Sequence, residues 1–220
     1  MGKLIVLEGT DGSGKATQCA VLAEALEKAG YDHRRVEFPR YTEVSSALIR
    51  MYLGGEFGDN PSDVNAYAAS TFYAVDRYAS YKQDWGEFYE AGGLILADRY
   101  TTSNAVHQGS KLEGRERTDY FSWLFDYEYH LMGLPAPDLV IYLDVPVEQT
   151  GKNMRQRESS TNTRADIHEK DQDYLNQCRI AAGQAAGMFG WKRIACTQNG
   201  KMRSIEDIHQ EVLKAVKEIL

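Results

Sequence analysis

The chain has 220 residues, 43% apolar and 26% charged, with a formal net charge of −7. That length allows one sizeable α/β domain with a full core, and the composition is ordinary for a soluble globular chain. The acidic balance argues against DNA, RNA or an anionic membrane surface as the main partner, while leaving room for a local basic pocket for nucleotides.

No apolar stretch approaches the length of a membrane span, and Met1-Gly2-Lys3 runs straight into a strand, leaving no room for a signal peptide. The three cysteines (Cys19, Cys178, Cys196) are odd in number and lack metal-ligand spacing, which reads as reduced thiols in a cytoplasmic protein.

The first predicted strand is Leu4 to Glu8, and the residues from Glu8 to Thr17 read EGTDGSGKAT. A strand, a glycine-rich turn and a helix start in that order are the layout of a phosphate cradle. Gly9, Gly12 and Gly14 let the backbone of Thr10, Asp11 and Ser13 curl and aim its N–H groups at one point. The helix N-terminus adds partial positive charge, and Lys15 can reach phosphate oxygens. The strict pattern places Ser or Thr after the lysine to hold magnesium; here Ala16 stands there, with Thr17 one step on. Cys19, Leu22, Ala23, Leu26 and Ala29 then recur at helical spacing, and Gly30 supplies the stop.

A second strand is predicted at about Arg35 to Phe38, followed by Phe38-Pro39-Arg40-Tyr41, where proline stiffens the turn and Arg40 is a candidate anion contact. A helix capped near Ser62 or Asp63 carries Tyr73 and Arg77 four residues apart on one face. An aromatic plane beside a guanidinium suits a flat heterocycle; core packing for Tyr73 and a surface place for Arg77 are the plainer alternatives.

The third strand, Leu94 to Asp98, ends in the charged pair Asp98-Arg99. That pair can be a structural ion pair. Beside a phosphate cradle, the carboxylate can organise magnesium waters and the guanidinium can clamp a phosphoryl group. Asn104, His107 and Gln108 follow on one helical face. Further strands are predicted at Leu139 to Asp144 and Arg193 to Cys196. Between them lies a polar segment, residues 152 to 173, read as a partly helical lid. The last helix opens with Ser204 and Asp207 as a capping pair and runs through Ile205, Ile208, Val212, Val216 and Ile219. Short apolar strands alternating with helices imply one domain built on a parallel sheet with helices on both faces. In such a sheet ligands sit at the carboxyl ends of the strands, and every motif above falls at such an end or just beyond it.

The glycine turn with its aspartate, FPRY, YAVDR, DRYTTSN, the PDLVIYLDVPVE strand, the basic lid and the C-terminal helix, in this order, resemble the thymidylate kinase family over nearly the whole chain. The resemblance implies a P-loop nucleoside monophosphate kinase: a three-layer α/β sandwich with a five-stranded parallel sheet and a short lid, commonly a homodimer. It implies transfer of a phosphoryl group from ATP to dTMP, giving dTDP in dTTP synthesis, with magnesium required.

Carried over by residue, Lys15 and the turn (Gly9 to Thr17) would hold the donor phosphates, and Asp11 would lie near the acceptor's sugar and the metal. Arg40 and Arg99 would grip the acceptor phosphate, with Phe38 lining that pocket. Tyr73 stands where the family usually stacks a phenylalanine on thymine, and Arg77 would read O4. Ser103 and Asn104 would border base and sugar, with Gln108 on the same face. Arg155, Arg157 and Arg164 would close over ATP.

Ala16 leaves magnesium to phosphates, water and Asp11 or Asp98. His107 falls where a tyrosine often sits beneath the deoxyribose, which puts strict 2′-deoxy discrimination in doubt. Two other readings stand beside this one. A deoxynucleoside kinase would need a base such as Glu8 or Asp11 near a 5′-hydroxyl. A catalytically silent nucleotide-binding protein would be favoured by Ala16.

Overall fold

The computed structural model describes residues 1–151, 153 and 172–220. Its centre is a five-stranded parallel sheet of β1 (Lys3–Glu8), β2 (His33–Glu37), β3 (Leu94–Asp98), β4 (Leu139–Asp144) and β5 (Lys192–Ala195), in the order β2-β3-β1-β4-β5. The chain leaves β1 toward β2 and β3 on one side, then crosses to β4 and β5 on the other. The carboxyl end of β1 is therefore the switch point where the two halves diverge and a ligand crevice opens.

Alternation along β1 builds both sides of the sheet. Leu4 and Val6 face a core with Ile95, Ala97, Val140 and Tyr142, while Ile5 and Leu7 face one with Leu96, Ile141, Leu143 and Ile194. The first side is covered by α5 (Thr101–His107), α6 (Gly114–Phe125) and α7 (Gln172–Phe189), through Val106, Phe121 and Cys178. The second is covered by α1 (Lys15–Lys28) and α8 (Ile205–Lys217), through Leu22, Leu26, Val212 and Val216. This is the expected three-layer sandwich.

The three central strands contain the predicted ones, and the two edges shift. β2 begins at His33 and releases Phe38, and β5 ends at Ala195 rather than Cys196. Both are edge strands with exposed charged residues, so they carry no continuous apolar run to mark their bounds. The helix bearing Tyr73 and Arg77, α3 (Ala66–Ser80), is capped by Asn65 and not by Ser62 or Asp63; the Asn65 side chain accepts from the Ala68 N–H at 2.9 Å. Asp63 instead accepts from the Asn60 N–H at 2.9 Å, closing a short turn around Pro61. At the last helix, Ser204 accepts from the Asp207 N–H at 3.0 Å, as the capping pair requires.

Candidate active site

The cradle forms between β1 and α1. Gly14, the N-cap residue of α1, has φ +90°, a left-handed turn that a side chain would strain. At Gly9 a Cβ would meet the Ser13 hydroxyl at 2.6 Å, so the loop can close this tightly only with glycine. Lys15 is buried, and its ammonium donates to the Thr10 carbonyl at 3.0 Å. Burial first, and Arg99 second, pull its pKa down to about 8, against the opposing pull of Asp11, Asp98 and Glu8. The Thr10 and Ser13 hydroxyls are buried without a hydrogen-bond partner among the described residues. Two unsatisfied hydroxyls and a lysine turned onto its own loop fit an anion that supplies the absent acceptors.

Glu8, at the end of β1, is fully buried, and its carboxylate accepts the Gly9 N–H at 2.9 Å, the Thr102 hydroxyl at 2.8 Å and the Ser103 hydroxyl at 2.7 Å. The glycine loop and α5 are thus joined through one side chain. Ser103, expected beside base and sugar, spends its proton on Glu8.

Arg99 follows β3 at φ +68°, an uncommon backbone state for a residue other than glycine. Its guanidinium does not turn to its neighbour Asp98. It donates to Asp11 of the cradle and, at 3.1 Å, to Nε2 of His107 on α5. Burial works against its charge, but Asp11, Glu8 and Asp98 outweigh it and hold the pKa above the ordinary arginine value.

Arg40 is fixed across the crevice. Its backbone N–H and Nε donate to Asp76 at 2.8 and 3.3 Å, and Nη1 meets Asp84. Phe38 is buried, with its ring 5.9 Å from that of Tyr100. A cleft beside Arg40, of about 440 Å³, is lined by Glu37, Pro39, Tyr41, Thr42, Glu43, Gln83 and Asp84.

Arg77 departs from its plainer alternative: it is buried, not at the surface. Its Nε and Nη2 donate to the Glu128 carboxylate at 2.6 and 2.5 Å, and the Thr101 hydroxyl adds a third bond at 2.8 Å. Removing one partner of such a pair leaves an uncompensated buried charge. Glu128→Ala is expected to destabilise the protein by about 3–5 kcal/mol, read by urea unfolding; a loss under 1 kcal/mol would mean that the pair contributes little.

Tyr73 is half-buried on the same helix. Asn104 donates to the Ser70 carbonyl at 3.2 Å, and the Gln108 amide is wholly enclosed without a partner among the described residues. Arg155, Arg157 and Arg164, with most of the 152–173 segment, lie outside the described residues; Asn153 is described and donates to the Gly12 carbonyl at 2.8 Å.

Three residues that hold this site were not singled out from the sequence. Asp76 lies inside YAVDR, one residue before Arg77, and its signal was there to read. Asp84 and Glu128 lie on π-helical turns (Tyr81–Trp85 and Asp126–Leu131), where neither helical spacing nor a motif marks them.

A parallel sheet opening at its switch point onto such a cradle, with two guanidiniums pinned by carboxylates beyond the neighbouring strands, defines a P-loop phosphotransferase. A family model for thymidylate kinase matches residues 7–212. The thymidylate kinase of Mycobacterium tuberculosis (strain H37Rv) is 32% identical over 190 residues, covering 86% of this chain and 87% of that one. The probable thymidylate kinase of Pyrococcus abyssi is 29% identical over 218 residues, covering 98% and 96%. A thymidylate kinase structure from Candida albicans matches the fold with a TM-score of 0.72, covering 99% of this chain and 92% of its own at 18% identity. The chain belongs to the thymidylate kinase family and is a nucleoside monophosphate kinase.

Proposed function

We propose that this site transfers the γ-phosphoryl group of ATP to dTMP, giving dTDP and ADP. A dTMP phosphate oxygen forms the new bond to the γ-phosphorus as the bond to the β,γ-bridging oxygen breaks, and the electron pair of that bond leaves on ADP. No covalent nucleophile is required; alignment and charge neutralisation carry the catalysis. Lys15 and the N–H groups of the cradle hold the donor phosphates, while Arg40 and Arg99 grip the acceptor phosphate. Tyr73 and Arg77 take the base, and the arginines of the 152–173 segment close over ATP.

The observation that carries this reading is the pairing of Arg40 and Arg99, which follow β2 and β3 and are fixed by carboxylates from elsewhere in the fold, Arg40 by Asp76 and Asp84 and Arg99 by Asp11. Two guanidiniums on the acceptor side suit a substrate that already bears phosphate. The state of Glu8 argues against a nucleoside kinase: it is fully buried and three donors already occupy its carboxylate, which suits a structural role better than that of a base at a 5′-hydroxyl.

Magnesium belongs to the same proposal. Among the described residues no group of three or more His, Cys, Asp or Glu side chains could hold a metal, and Ala16 has no oxygen to offer. That donor set fits an ion held mainly by nucleotide phosphates and water, with Asp11 and Asp98 as the nearby carboxylates. When bound, magnesium neutralises charge on the donor phosphates. We also assign the chain to the cytoplasm, in keeping with three buried, unpaired cysteines, and to a homodimer, in keeping with Val75 and Tyr78 exposed on one face of α3.

The test is ADP formation with ATP, magnesium and each of dTMP, dUMP, UMP, dCMP, AMP and thymidine. The expected result is turnover with dTMP well ahead of the rest. Turnover with thymidine but not dTMP would move the assignment to a nucleoside kinase, and silence with all six would leave a nucleotide-binding protein without catalysis.

A further inference from the structure

His107 meets the site through the Arg99 side chain. Its ring is buried at the end of α5, and Nε2 lies 3.1 Å from the Arg99 guanidinium. Arginine has no acceptor, so Nε2 must carry the lone pair, and the imidazole is neutral with its proton on Nδ1. Nδ1 faces the Cys178 sulfur of α7 at 3.7 Å. Burial pushes that thiol up to about 12, so it stays protonated and receives the Nδ1 proton through a sulfur lone pair.

The backbone is held as well. The His107 carbonyl accepts from the Tyr174 hydroxyl at 2.9 Å and from the Ser110 hydroxyl at 2.7 Å. His107 is thus held from α7 and from its own loop, with the Nε2 lone pair facing Arg99.

We propose that His107 is a positioning residue for Arg99, holding the guanidinium toward the acceptor phosphate through a neutral acceptor rather than through a second carboxylate. Asp11 already accepts from Arg99 and belongs to the cradle, where it also faces the nucleotides. A second carboxylate at position 107 would cancel the charge that Arg99 must present to a phosphate. An imidazole lone pair orients the guanidinium and leaves its charge in place. This rests on the reading of Arg99 as a clamp on the acceptor phosphate.

The experiment compares wild type, His107→Gln and His107→Leu in kcat and KM for dTMP, with melting curves for each. Gln keeps an acceptor close to the position of Nε2, and Leu removes it. The expected result is a kcat lowered about 10-fold or more in His107→Leu with KM changed less than about 3-fold, and most of the loss recovered in His107→Gln. In an Arg99→Ala background, His107→Leu should add almost nothing.

A raised KM at unchanged kcat, with UMP newly accepted, would place His107 under the sugar and overturn the proposal. So would full activity in both variants, or losses that multiply with those of Arg99→Ala. The tautomer is read separately from 15N imidazole shifts of the ligand-free wild type, where an unprotonated Nε2 is expected; a protonated Nε2 overturns the proposal. Failure of the wild type to use dTMP would instead remove the kinase reading, and the 15N shifts would still decide whether His107 accepts from Arg99.

Discussion

Arg99→Ala is expected to lower kcat/KM for dTMP by about 10³ or more, the range seen when a preorganised clamp on a transferring phosphoryl group is removed. The structure explains why so much should ride on one side chain. Arg99 occupies an unfavourable backbone state, is largely but not wholly buried, and is oriented by Asp11 and His107 before any substrate arrives. A guanidinium held in place loses little freedom at the moment charge develops, so its stabilisation acts on the transition state. Arg99→Lys is expected to recover only a small part, because an ammonium cannot donate to both partners and still present a fork to phosphate. Steady-state kinetics checks both variants, and near-normal turnover in Arg99→Ala would remove Arg99 from the mechanism.

Lys15→Met should abolish turnover, by about 10³-fold or more, while making the ligand-free protein more stable. The opposition follows from the lysine's burial. A lysine whose folded pKa, about 8, lies below its ordinary 10.5 resists being charged in the folded state. It subtracts stability at pH below about 8 and gives it back as pH rises toward 10.5. The subtraction is on the order of 3 kcal/mol. Methionine, similar in length and uncharged, escapes it. Melting curves at pH 7 should place Lys15→Met above wild type, and the gap should narrow by pH 10. A variant that melts below wild type at pH 7 would show that the bond to the Thr10 carbonyl outweighs burial. Adding ATP should reverse the order, since the wild-type lysine then gains an anionic partner.

How far the sequence could be read depended on whether a residue's role is local. β1, β3 and β4 are buried on both faces and show as apolar runs; the glycine turn, FPRY and Asp98-Arg99 stand at the carboxyl ends of β1, β2 and β3, and YAVDR lies on α3, as its helical spacing predicts. The edge strands blurred because half of each faces water. The cap of α3 is ambiguous in the sequence because three polar residues near its start (Ser62, Asp63, Asn65) offer similar chemistry, and Pro61 draws Asp63 into its own turn. The partners of the key arginines were harder still. Glu128 stands 51 positions from Arg77, and Cys178 stands 71 from His107. Such pairings come from helices closing over the sheet, and no spacing along the chain encodes them.

Glu8 ties the glycine loop to the first turn of α5 through bonds made wholly inside the protein. The gap across which the phosphoryl group passes therefore takes its stiffness from the end of the central strand rather than from any loop. Warming that loosens the outer segments should change how often both nucleotides are held together, and leave their alignment, once held, nearly unaltered.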